Sequence, residues 1–414
     1  MAGKTLSASL DIEFVRSQFQ AFEEPSLQGQ AFFDAAGGTY ACGQVVNHLN
    51  RFYVESKIQP YGMHPTSRKG GELIDLSHAR LAEYLGVNYE EIHLGPSTSQ
   101  NTFVLANAFL NKLQPGDEII VTNQDHEANS GVWRRLEKFG LVIKEWKIDP
   151  IDGTLNPTVL DSLTSSRTKV VCFTHCSNII GQINRVAEIC EKVHSAGAIA
   201  IVDGVSYTGH GLPDVAALGA DIYLFSLYKT FGPHLGVMVI KRKVMDLLGN
   251  QAHFFNENSS QKWFVPAGPD HAQIAAARGV PEYFDLLHAH HFGEGVPPNR
   301  PAQVRTLLRD AELKFLPRVL DFCNGDDRVR LLGPAKADER AATVSMQTKT
   351  ASPKEISSRL AEKGIIAGAG HFYAVRLLSA MGIDPETGVL RLSFVHYNNE
   401  QEINQLLNAL DQAL

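Results

Sequence analysis

The chain has 414 residues, of which 44% are hydrophobic and 20% are charged, and its formal net charge is −7 at pH 7. This length supports a large core and predicts two domains, while the acidic balance argues against nucleic acid or an anionic membrane as the main partner. The first residues lack the apolar core of a signal peptide and no run of about 18 apolar residues occurs, so we expect a soluble, cytoplasmic protein. The five cysteines are scattered without CxxC spacing, which favours neither disulfides nor a zinc site, and Cys172 and Cys176 are expected in the core.

Two segments rich in glycine come first. Residues 31–40 form a short apolar run that stops at Gly37 and Gly38, where glycine lets the backbone approach a ligand or simply forms a turn. Residues 61–71 are predicted to form a loop, and an amphipathic helix is expected from about 72 to 85.

A run of hydroxyl-bearing residues precedes the next helix. Ser97 is a good N-cap for a helical stretch that extends through Leu110. Thr98 and Ser99 then place hydroxyls and free amide groups at the positive end of that helix, which is a ready phosphate site. Helix capping alone is the more common explanation of such a run.

The next two predicted strands are followed by residues that can take part in chemistry. The strand over 118–122 leads to His126, a candidate general base, metal ligand or stacking ring, although no second ligand at metal spacing accompanies it. The strand over 169–178 carries Asn178 at its carboxyl end. A helix over 186–196 then returns the chain to another strand, and this order predicts a right-handed crossover in a mostly parallel sheet.

An acid and a lysine follow two further buried strands. Residues 198–202 and 221–225 are short continuous apolar runs, typical of parallel strands covered on both faces. Asp203 ends the first run, where open α/β sheets bind ligands, and Lys229 follows the second. In an apolar setting the pKa of a lysine falls, so its amine becomes a nucleophile toward a carbonyl, and the acid could hold the pyridinium nitrogen of pyridoxal phosphate (PLP). The simpler interpretation is a snorkelling lysine and an aspartate that caps a turn.

Histidines and a composition break mark the region after residue 260. His271 follows Gly-Pro-Asp, and His288, His290 and His291 cluster at a predicted helix end, where we expect exposure to solvent rather than metal binding. Residues 293–301 are rich in glycine and proline. We therefore predict an N-terminal segment over 1–30 that packs on the small domain, a large domain over 31–295 and a small C-terminal domain over 296–414.

The C-terminal part has the pattern of a small α+β domain. Strands are predicted around 342–347 and 389–395, and amphipathic helices over 354–363 and 400–414. Arg391 is a guanidinium inside an otherwise apolar strand. Such a charge must be paired, either by a substrate carboxylate or by an internal Asp or Glu.

The stretch from Asp203 to Gly236 resembles the PLP-lysine signature of the class V aminotransferases, and more narrowly their cysteine desulfurase and selenocysteine lyase branch. The matching sequence includes DGVSYTGH from Asp203 and FSLYK ending at Lys229. The resemblance implies the α/β fold of type I PLP-dependent transferases, with a mostly parallel, seven-stranded-type sheet in the large domain and a small α+β C-terminal domain. It makes Lys229 the lysine of the internal aldimine and Asp203 the partner of the pyridinium nitrogen.

The resemblance extends to other contacts with the cofactor. His126 matches the first histidine of the family's Glu-His-His-Ala-Asn motif, which stacks on the pyridine ring and can aid proton transfer. Asn178 matches an asparagine that hydrogen-bonds the PLP phenolic oxygen. Thr98 and Ser99 fall in the phosphate loop, where Ser97 replaces the usual glycine.

Several cofactor positions depart from the family pattern or match it loosely. Ser206 replaces a glutamine that supports the phenolic oxygen, and Tyr228 replaces the histidine before the lysine. Tyr228 and Ser226 could still hydrogen-bond the phosphate. His271 lies in a segment that loosely resembles the loop by which one subunit touches its partner's PLP phosphate. The resemblance implies a homodimer with the active site at the subunit interface.

The resemblance also implies substrate contacts. Gly37 lies in the segment that lines the substrate carboxylate pocket, and His64 and Arg68 lie in a loop that reaches the partner's site. Arg391 matches the carboxylate-binding arginine. Tyr373 stands where one desulfurase group has its persulfide-forming cysteine, and a tyrosine cannot form a persulfide.

These features predict a PLP-dependent enzyme that acts on an α-amino acid through an external aldimine and removal of the α-proton. The nearest branch favours a desulfurase-like C–S lyase that works by β-elimination or substitution without a persulfide cysteine. Amino transfer, epimerisation and C–C bond formation stay open, because the outcome depends on the shape of the pocket. A PLP-fold protein that has lost catalysis and serves as a scaffold is the alternative of another class.

Overall fold

A computed structural model describes residues 9–293 and 299–414 of the chain. The strands in chain order are β1 (Ala31–Phe32), β2 (Ile92–Gly95), β3 (Glu118–Thr122), β4 (Val142–Trp146), β5 (Thr168–Thr174), β6 (Ile199–Asp203), β7 (Ile222–Ser226), β8 (Gly236–Ile240), β9 (Val329–Leu331), β10 (Thr343–Thr348), β11 (Ile365–Ile366), β12 (Gly368–Gly370) and β13 (Val389–Ser393). The α-helices are α1 (Ile12–Ser17), α2 (Gly43–Glu55), α3 (Pro65–Leu85), α4 (Thr98–Leu110), α5 (Glu127–Arg134), α6 (Leu160–Leu163), α7 (Val186–Ser195), α8 (Val215–Leu218), α9 (Arg242–Leu248), α10 (His271–Ala276), α11 (Gly279–Phe292), α12 (Arg300–Leu313), α13 (Leu316–Gly325), α14 (Pro353–Ala361), α15 (Val375–Ala380) and α16 (Glu400–Ala413). Among the helices in these described ranges, none is long and apolar enough to cross a membrane.

The largest sheet has seven strands in the order β2-β8-β7-β6-β5-β3-β4. β8 runs antiparallel to β2 and β7, and every other neighbouring pair is parallel. Tyr223 and Phe225 of β7 pack into one apolar core, while Ile222 and Leu224 pack into another. The strand is therefore buried on both faces, which explains its continuous apolar sequence and confirms the predicted mostly parallel sheet.

The register of the parallel strands brings their carboxyl ends together. Thr174 of β5 lies beside Asp203 of β6, and Asp203 lies beside Leu224 of β7. The loops after these strands therefore leave the sheet at the same edge, which is where ligands bind in open α/β sheets.

The C-terminal part forms a four-stranded antiparallel sheet in the order β12-β13-β10-β9. Its core is separate from those of the large sheet, and it confirms the predicted small α+β domain. Ala31 and Phe33 belong to this core, and β1 pairs with β11. The predicted boundary at 295/296 lies outside the described residues, and the division into domains stays a prediction.

The predicted loop over 61–71 is wrong in its second half, because α3 begins at Pro65. The Nδ1 atom of His64 accepts a hydrogen bond from the Thr66 amide at 3.2 Å, and proline suits the first position of a helix. Gly71 is tolerated inside the helix because the Tyr61 ring packs where its Cβ would lie, at 2.6 Å. Capping and close packing outweigh the helix-breaking tendency of glycine here.

The expected exposure of the histidines at the end of α11 is also wrong in part. His288 is buried and its Nε2 lies 3.0 Å from Gln303 Oε1. His290 pairs with Asp11 at 2.9 Å, and His291 Nε2 accepts from the Asp11 amide at 2.8 Å. His290 and His291 thus connect α11 to the start of α1, His288 connects it to α12, and no group of metal-ligating side chains occurs within residues 9–293 and 299–414.

Candidate active site

Asp203 is the last residue of β6, and its carboxylate is almost wholly buried. Oδ1 accepts a hydrogen bond from the Val205 amide at 2.9 Å, and the described part of the chain supplies no other hydrogen bond to this carboxylate. Burial raises the pKa of Asp203 to about 6. The acid therefore has spare acceptor capacity and gains stability from a cationic partner.

Lys229 lies in the 3-10 turn Leu227–Lys229 that directly follows β7. Burial is the main cause that lowers the pKa of its amine to about 8, with Arg391 acting in the same direction and Asp203 opposing. Among the residues described, none forms a hydrogen bond or an ion pair with Nζ, and the nearest ring, that of Tyr228, has its centroid 5.7 Å away. A half-buried amine with no partner among the described residues is suited to covalent attachment to a carbonyl.

A cavity of about 490 Å³ brings together most of the residues that the sequence singled out. It lies at the carboxyl edge of the large sheet, between the loops that follow the parallel strands. Its lining includes Thr98, Ser99, His126, Asn178, Asp203, Ser206, Ser226, Tyr228, Lys229 and Tyr373. Asp203 and Lys229 thus line one cavity, and Asp203 also caps a turn through the Val205 amide, as the simpler interpretation expected.

One end of the cavity is the N-terminus of α4. Ser97 caps this helix, as expected, with Oγ accepting from the Gln100 amide at 3.1 Å. The hydroxyls of Thr98 and Ser226 are 2.7 Å apart. A Cβ on Gly236 would meet the backbone between Ser97 and Thr98, so glycine is needed for β8 to approach this turn. Hydroxyls at a helix N-terminus form a cradle for a phosphate group.

One polar atom in the wall beside Lys229, the Oδ1 of Asn178, has no hydrogen-bond partner among the described residues. Asn178 Nδ2 donates to the Phe372 carbonyl at 2.9 Å, while its Oδ1 is buried with no hydrogen-bond partner. Tyr228 stacks on His234 with ring centroids 4.8 Å apart. A buried amide oxygen with no partner is costly unless a ligand pairs with it.

His126 caps α5 and faces the cavity mouth. Its Nδ1 accepts from the Ala128 amide at 3.1 Å, which fixes the proton of the neutral ring on Nε2. Burial lowers the pKa of His126 to about 4, helped by the positive charge of Lys229. The Tyr373 ring lies 5.1 Å from the His126 ring, and the Tyr373 carbonyl accepts from the Glu127 amide at 2.8 Å. The loop of Tyr373 is thus attached directly to the start of α5.

Arg391 is buried beside the cavity and is paired within the protein. Nη2 donates to Asp34 Oδ1 at 2.8 Å, and Nη1 donates to the Asn178 carbonyl at 3.2 Å. The guanidinium carbon lies 3.7 Å from the centre of the Phe372 ring, and Nε is buried without a partner. The internal carboxylate that the sequence left open is therefore Asp34, three residues before Gly37, and Arg391 itself is not part of the cavity lining.

His64 and His271 do not line the cavity. His64 caps α3 and is exposed, and His271 is the first residue of α10. The Arg68 guanidinium donates to the Met63 carbonyl, next to His64. The roles of His64 and His271 toward a partner subunit stay predictions.

Sequence reasoning missed three groups near the cavity, of which Asp125 and His175 are buried and Asp34 is half-buried. Asp34 lies in the glycine-containing segment 31–40, and the sequence indicated it only as the one acid in an apolar run. Asp125 precedes His126 and is held by Thr122 and by Asn129 Nδ2, the latter at 2.8 Å, and burial raises its pKa to about 8. His175 stacks on Tyr207 with ring centroids 3.6 Å apart, and nothing in the sequence pattern indicated this pair.

Cys176 brings a thiol to the cavity lining. Its Sγ is buried and donates to the Gly181 carbonyl at 3.4 Å, and burial raises its pKa to about 12. A thiol with such a pKa is neutral near pH 7 and is a poor nucleophile. Cys172 is also buried, as expected for a core residue.

The residues present fit PLP. The cavity offers an unpartnered amine, a carboxylate with a free oxygen, an orphaned amide oxygen at Asn178 and the hydroxyls at the N-terminus of α4. These groups match, in kind, the aldehyde, ring nitrogen, phenolic oxygen and phosphate of the cofactor.

Comparison with known proteins identifies the family. The sequence model of Aminotransferase class-V matches residues 31–280 and 319–406. The chain is 34% identical to "Aminotransferase-like protein FGM3" of Gibberella zeae, over 99% of this chain and 100% of that protein. It is 26% identical to a cysteine desulfurase of Serratia proteamaculans, over 98% of each chain. The solved apo structure of a cysteine desulfurase from Thermococcus onnurineus superposes with a TM-score of 0.84 at 23% identity, over 98% of each chain.

The chain belongs to the class V aminotransferase family. It is therefore a PLP-dependent enzyme with the fold of the type I transferases, which confirms the resemblance, the cofactor and the fold expected from the sequence.

Proposed function

We propose that this enzyme breaks the bond between Cβ and its substituent in an α-amino acid, by elimination or substitution, and that no cysteine persulfide takes part. The observation that carries the proposal is the loop at the cavity mouth. Tyr373 lines the cavity there, while Cys176, the cavity's thiol, has a pKa near 12. Sulfur transfer to the protein needs a thiolate, so elimination is the better fit to these side chains.

In this proposal four side chains of the protein each have one role in the reaction. Arg391 binds the substrate carboxylate through its guanidinium group, and Lys229 Nζ takes the α-proton. Asp203 would hold the ring nitrogen of bound PLP in its protonated form. PLP, when bound, supplies an electron sink for the pair left behind by the α-proton. His126 stays neutral above about pH 5 because burial holds its pKa near 4, so its ring can stack without adding charge.

The Tyr373 hydroxyl is the group we assign to the β-substituent. The tyrosine is largely exposed, and its backbone is tied to Glu127 and to His371, whose Nδ1 accepts from the Tyr373 amide at 3.0 Å. It can donate a hydrogen bond to the leaving group as the Cβ bond breaks. The β-substituent leaves with its bonding electrons and takes up a proton.

Amino acids with and without a leaving group at Cβ provide the test. The holoenzyme should release pyruvate and ammonia in equal amounts from a substrate such as cysteine, cystine or O-acetylserine, and Cys176→Ser should keep the rate within about twofold, because a neutral thiol contributes no nucleophile. Production of alanine together with a protein persulfide would overturn the proposal. Recovery of a 2-oxo acid with the substrate's carbon skeleton, of the D-amino acid, or of a product with a new C–C bond would also overturn it, in favour of amino transfer, epimerisation or C–C chemistry.

We further propose that the enzyme is a homodimer. Val54 and Met63 are 79% and 90% exposed, which is unusual for large apolar side chains and is typical of a surface that another chain covers. The Lys57 amine lies 3.8 Å from Asp270, so the start of α10 at His271 belongs to the same region. Light scattering should give twice the chain mass of 45.4 kDa, and a monomer at micromolar concentration would refute the dimer.

A further inference from the structure

Thr39 contacts the backbone on both sides of Lys229. Its hydroxyl donates to the Tyr228 carbonyl at 3.2 Å, and its backbone amide donates to the same carbonyl at 3.0 Å. The hydroxyl oxygen in turn accepts from the Phe231 amide at 2.8 Å. One side chain therefore joins the residue before the lysine to the residue two positions after it.

The turn that Thr39 bridges has an unusual conformation. Phe231 has φ of +61°, a left-handed conformation that non-glycine residues seldom adopt because their Cβ is crowded there. Its amide is held by Thr39, and its carbonyl accepts from the Cys42 amide at 2.9 Å. A strained residue persists only where its surroundings fix it, and here both polar groups of Phe231 are fixed by the segment 39–42.

The opposite side of the turn is held independently. The hydroxyls of Thr230 and Thr208 are 2.8 Å apart, and a Cβ on Gly209 would lie 2.7 Å from the Lys229 carbonyl. The lysine backbone thus sits between a close-packed glycine and the bridge made by Thr39. Removing the Thr39 hydroxyl leaves the Phe231 amide without its acceptor, while the Thr39 amide still donates to the Tyr228 carbonyl.

The segment that carries Thr39 is itself anchored to the small domain. The Ala36 amide donates to Ser393 Oγ at 2.8 Å, and Asp34 pairs with Arg391 at 2.8 Å. Thr39 lies five positions after Asp34 in the sequence. This anchoring fixes Thr39 relative to β13 as well as to the lysine turn.

We infer that Thr39 is a positioning residue for Lys229: its hydroxyl bridges the Tyr228 carbonyl and the Phe231 amide, and this bridge aims the lysine side chain into the cavity. The inference rests on the proposed role of Lys229 as the amine that bonds to PLP. It assigns no contact between Thr39 and the substrate. The methyl group of Thr39 takes no part in the bridge, so serine should replace threonine and valine should not.

Two measurements on the protein without substrate test this role. The first is the rate at which the apo-protein bonds covalently to added PLP, followed by borohydride reduction and mass spectrometry. The second is the rate of reductive methylation of Lys229 in the apo-protein, with Lys354 as the internal reference. Thr39→Val should lower the rate of covalent PLP attachment and the rate of Lys229 methylation by roughly 10- to 100-fold, because a displaced side chain loses the reactive geometry, and Thr39→Ser should stay within about threefold of wild type.

The matched control is Thr306→Val, which removes an exposed hydroxyl bonded to the Ala302 carbonyl at 3.1 Å and should change neither rate. If Thr39→Val does not fold, Thr39→Ala provides the test instead. It removes the hydroxyl without adding an apolar atom and should lower both rates in the same way. Normal rates in Thr39→Val or Thr39→Ala would overturn the inference, and so would an equal loss in Thr39→Ser. Neither measurement uses an amino acid, so a failure of the proposed reaction would leave this result unaffected.

Discussion

Replacing Lys229 by alanine is expected to abolish covalent attachment of PLP and to lower turnover by at least about 10³-fold. Within the described residues no other lysine lines the cavity, so no second amine can take over bonding to the cofactor or removal of the α-proton. Borohydride reduction followed by mass spectrometry should find the cofactor on a peptide that contains residue 229 in wild type and on no peptide in the variant.

The pH dependence of this attachment follows from the burial of the amine. Burial lowers the pKa of Lys229 to about 8, and only the neutral amine attacks a carbonyl. The rate of PLP capture by the apo-protein should therefore rise with pH through about 8 and become constant above that value. Asp203, with its pKa near 6, is ionised throughout this range and adds no second step. A rate that keeps rising to about pH 10, as for an ordinary lysine, would contradict a lowered pKa for Lys229.

An exposed lysine provides the control. Lys354 lies on α14 of the small domain, away from the cavity lining, and Lys354→Ala should retain full activity and full PLP attachment. If Lys229→Ala still carried a covalently bound cofactor, another amine would be the reactive one, and the proposed roles of Asp203 and Arg391 would have to be reconsidered together with that of the lysine.

The placement of Lys229 and Asp203 at the same edge of the sheet could be predicted from the sequence because it depends on local patterns. Two continuous apolar runs identify neighbouring parallel strands, and parallel strands end at the same edge of a sheet. The cap at Ser97 is equally local, since its oxygen bonds an amide three residues away. For these residues, short-range hydrogen bonding and strand burial decide the structure, and the sequence contains both.

Other parts of the site depend on contacts between distant segments. Asp34 and Arg391 are 357 positions apart, and Thr39 reaches Tyr228 across 189 positions. The sequence indicated that Arg391 needs a counterion, but many acids could have supplied it. Likewise, the Cys176 thiol stays protonated because it is buried. The Gly181 carbonyl that accepts its hydrogen bond is brought to the thiol only when the loop folds. Sequence patterns therefore predict helices and strands more readily than contacts between residues that are distant in the sequence.

Substituting lysine for Arg391 is expected to raise KM for an α-amino acid by about 100-fold while kcat changes by only a few-fold. The guanidinium offers two parallel N–H groups to a carboxylate, whereas an ammonium is a point charge on a flexible chain. Lysine retains the positive charge beside Asp34, so the variant avoids the cost of about 3–5 kcal/mol that follows when one partner of a buried ion pair is removed. Steady-state kinetics with the amino acid and with its carboxamide separate carboxylate recognition from other effects.

The carboxamide is the control because it lacks the negative charge that Arg391 would bind. Wild type should prefer the acid to the amide, and Arg391→Lys should lose most of that preference, as a double-mutant cycle would measure. An equal rise in KM for acid and amide would mean that Arg391 has a structural role as the partner of Asp34 and does not bind the substrate.

Substitution of Asp34 provides a second test of the hypothesis that Arg391 binds the substrate carboxylate, and in this variant KM is expected to fall. Its carboxylate already accepts a hydrogen bond from Nη2, so a substrate carboxylate arrives as a second anion on one guanidinium. Asp34→Asn keeps an oxygen able to accept that hydrogen bond but removes the competing charge, and KM for the amino acid should fall by a few-fold. If the arginine served only to hold Asp34, neutralising the acid would leave KM for the amino acid unchanged or raise it. A lower KM in Asp34→Asn together with a higher KM in Arg391→Lys is therefore expected only if the arginine recognises the substrate.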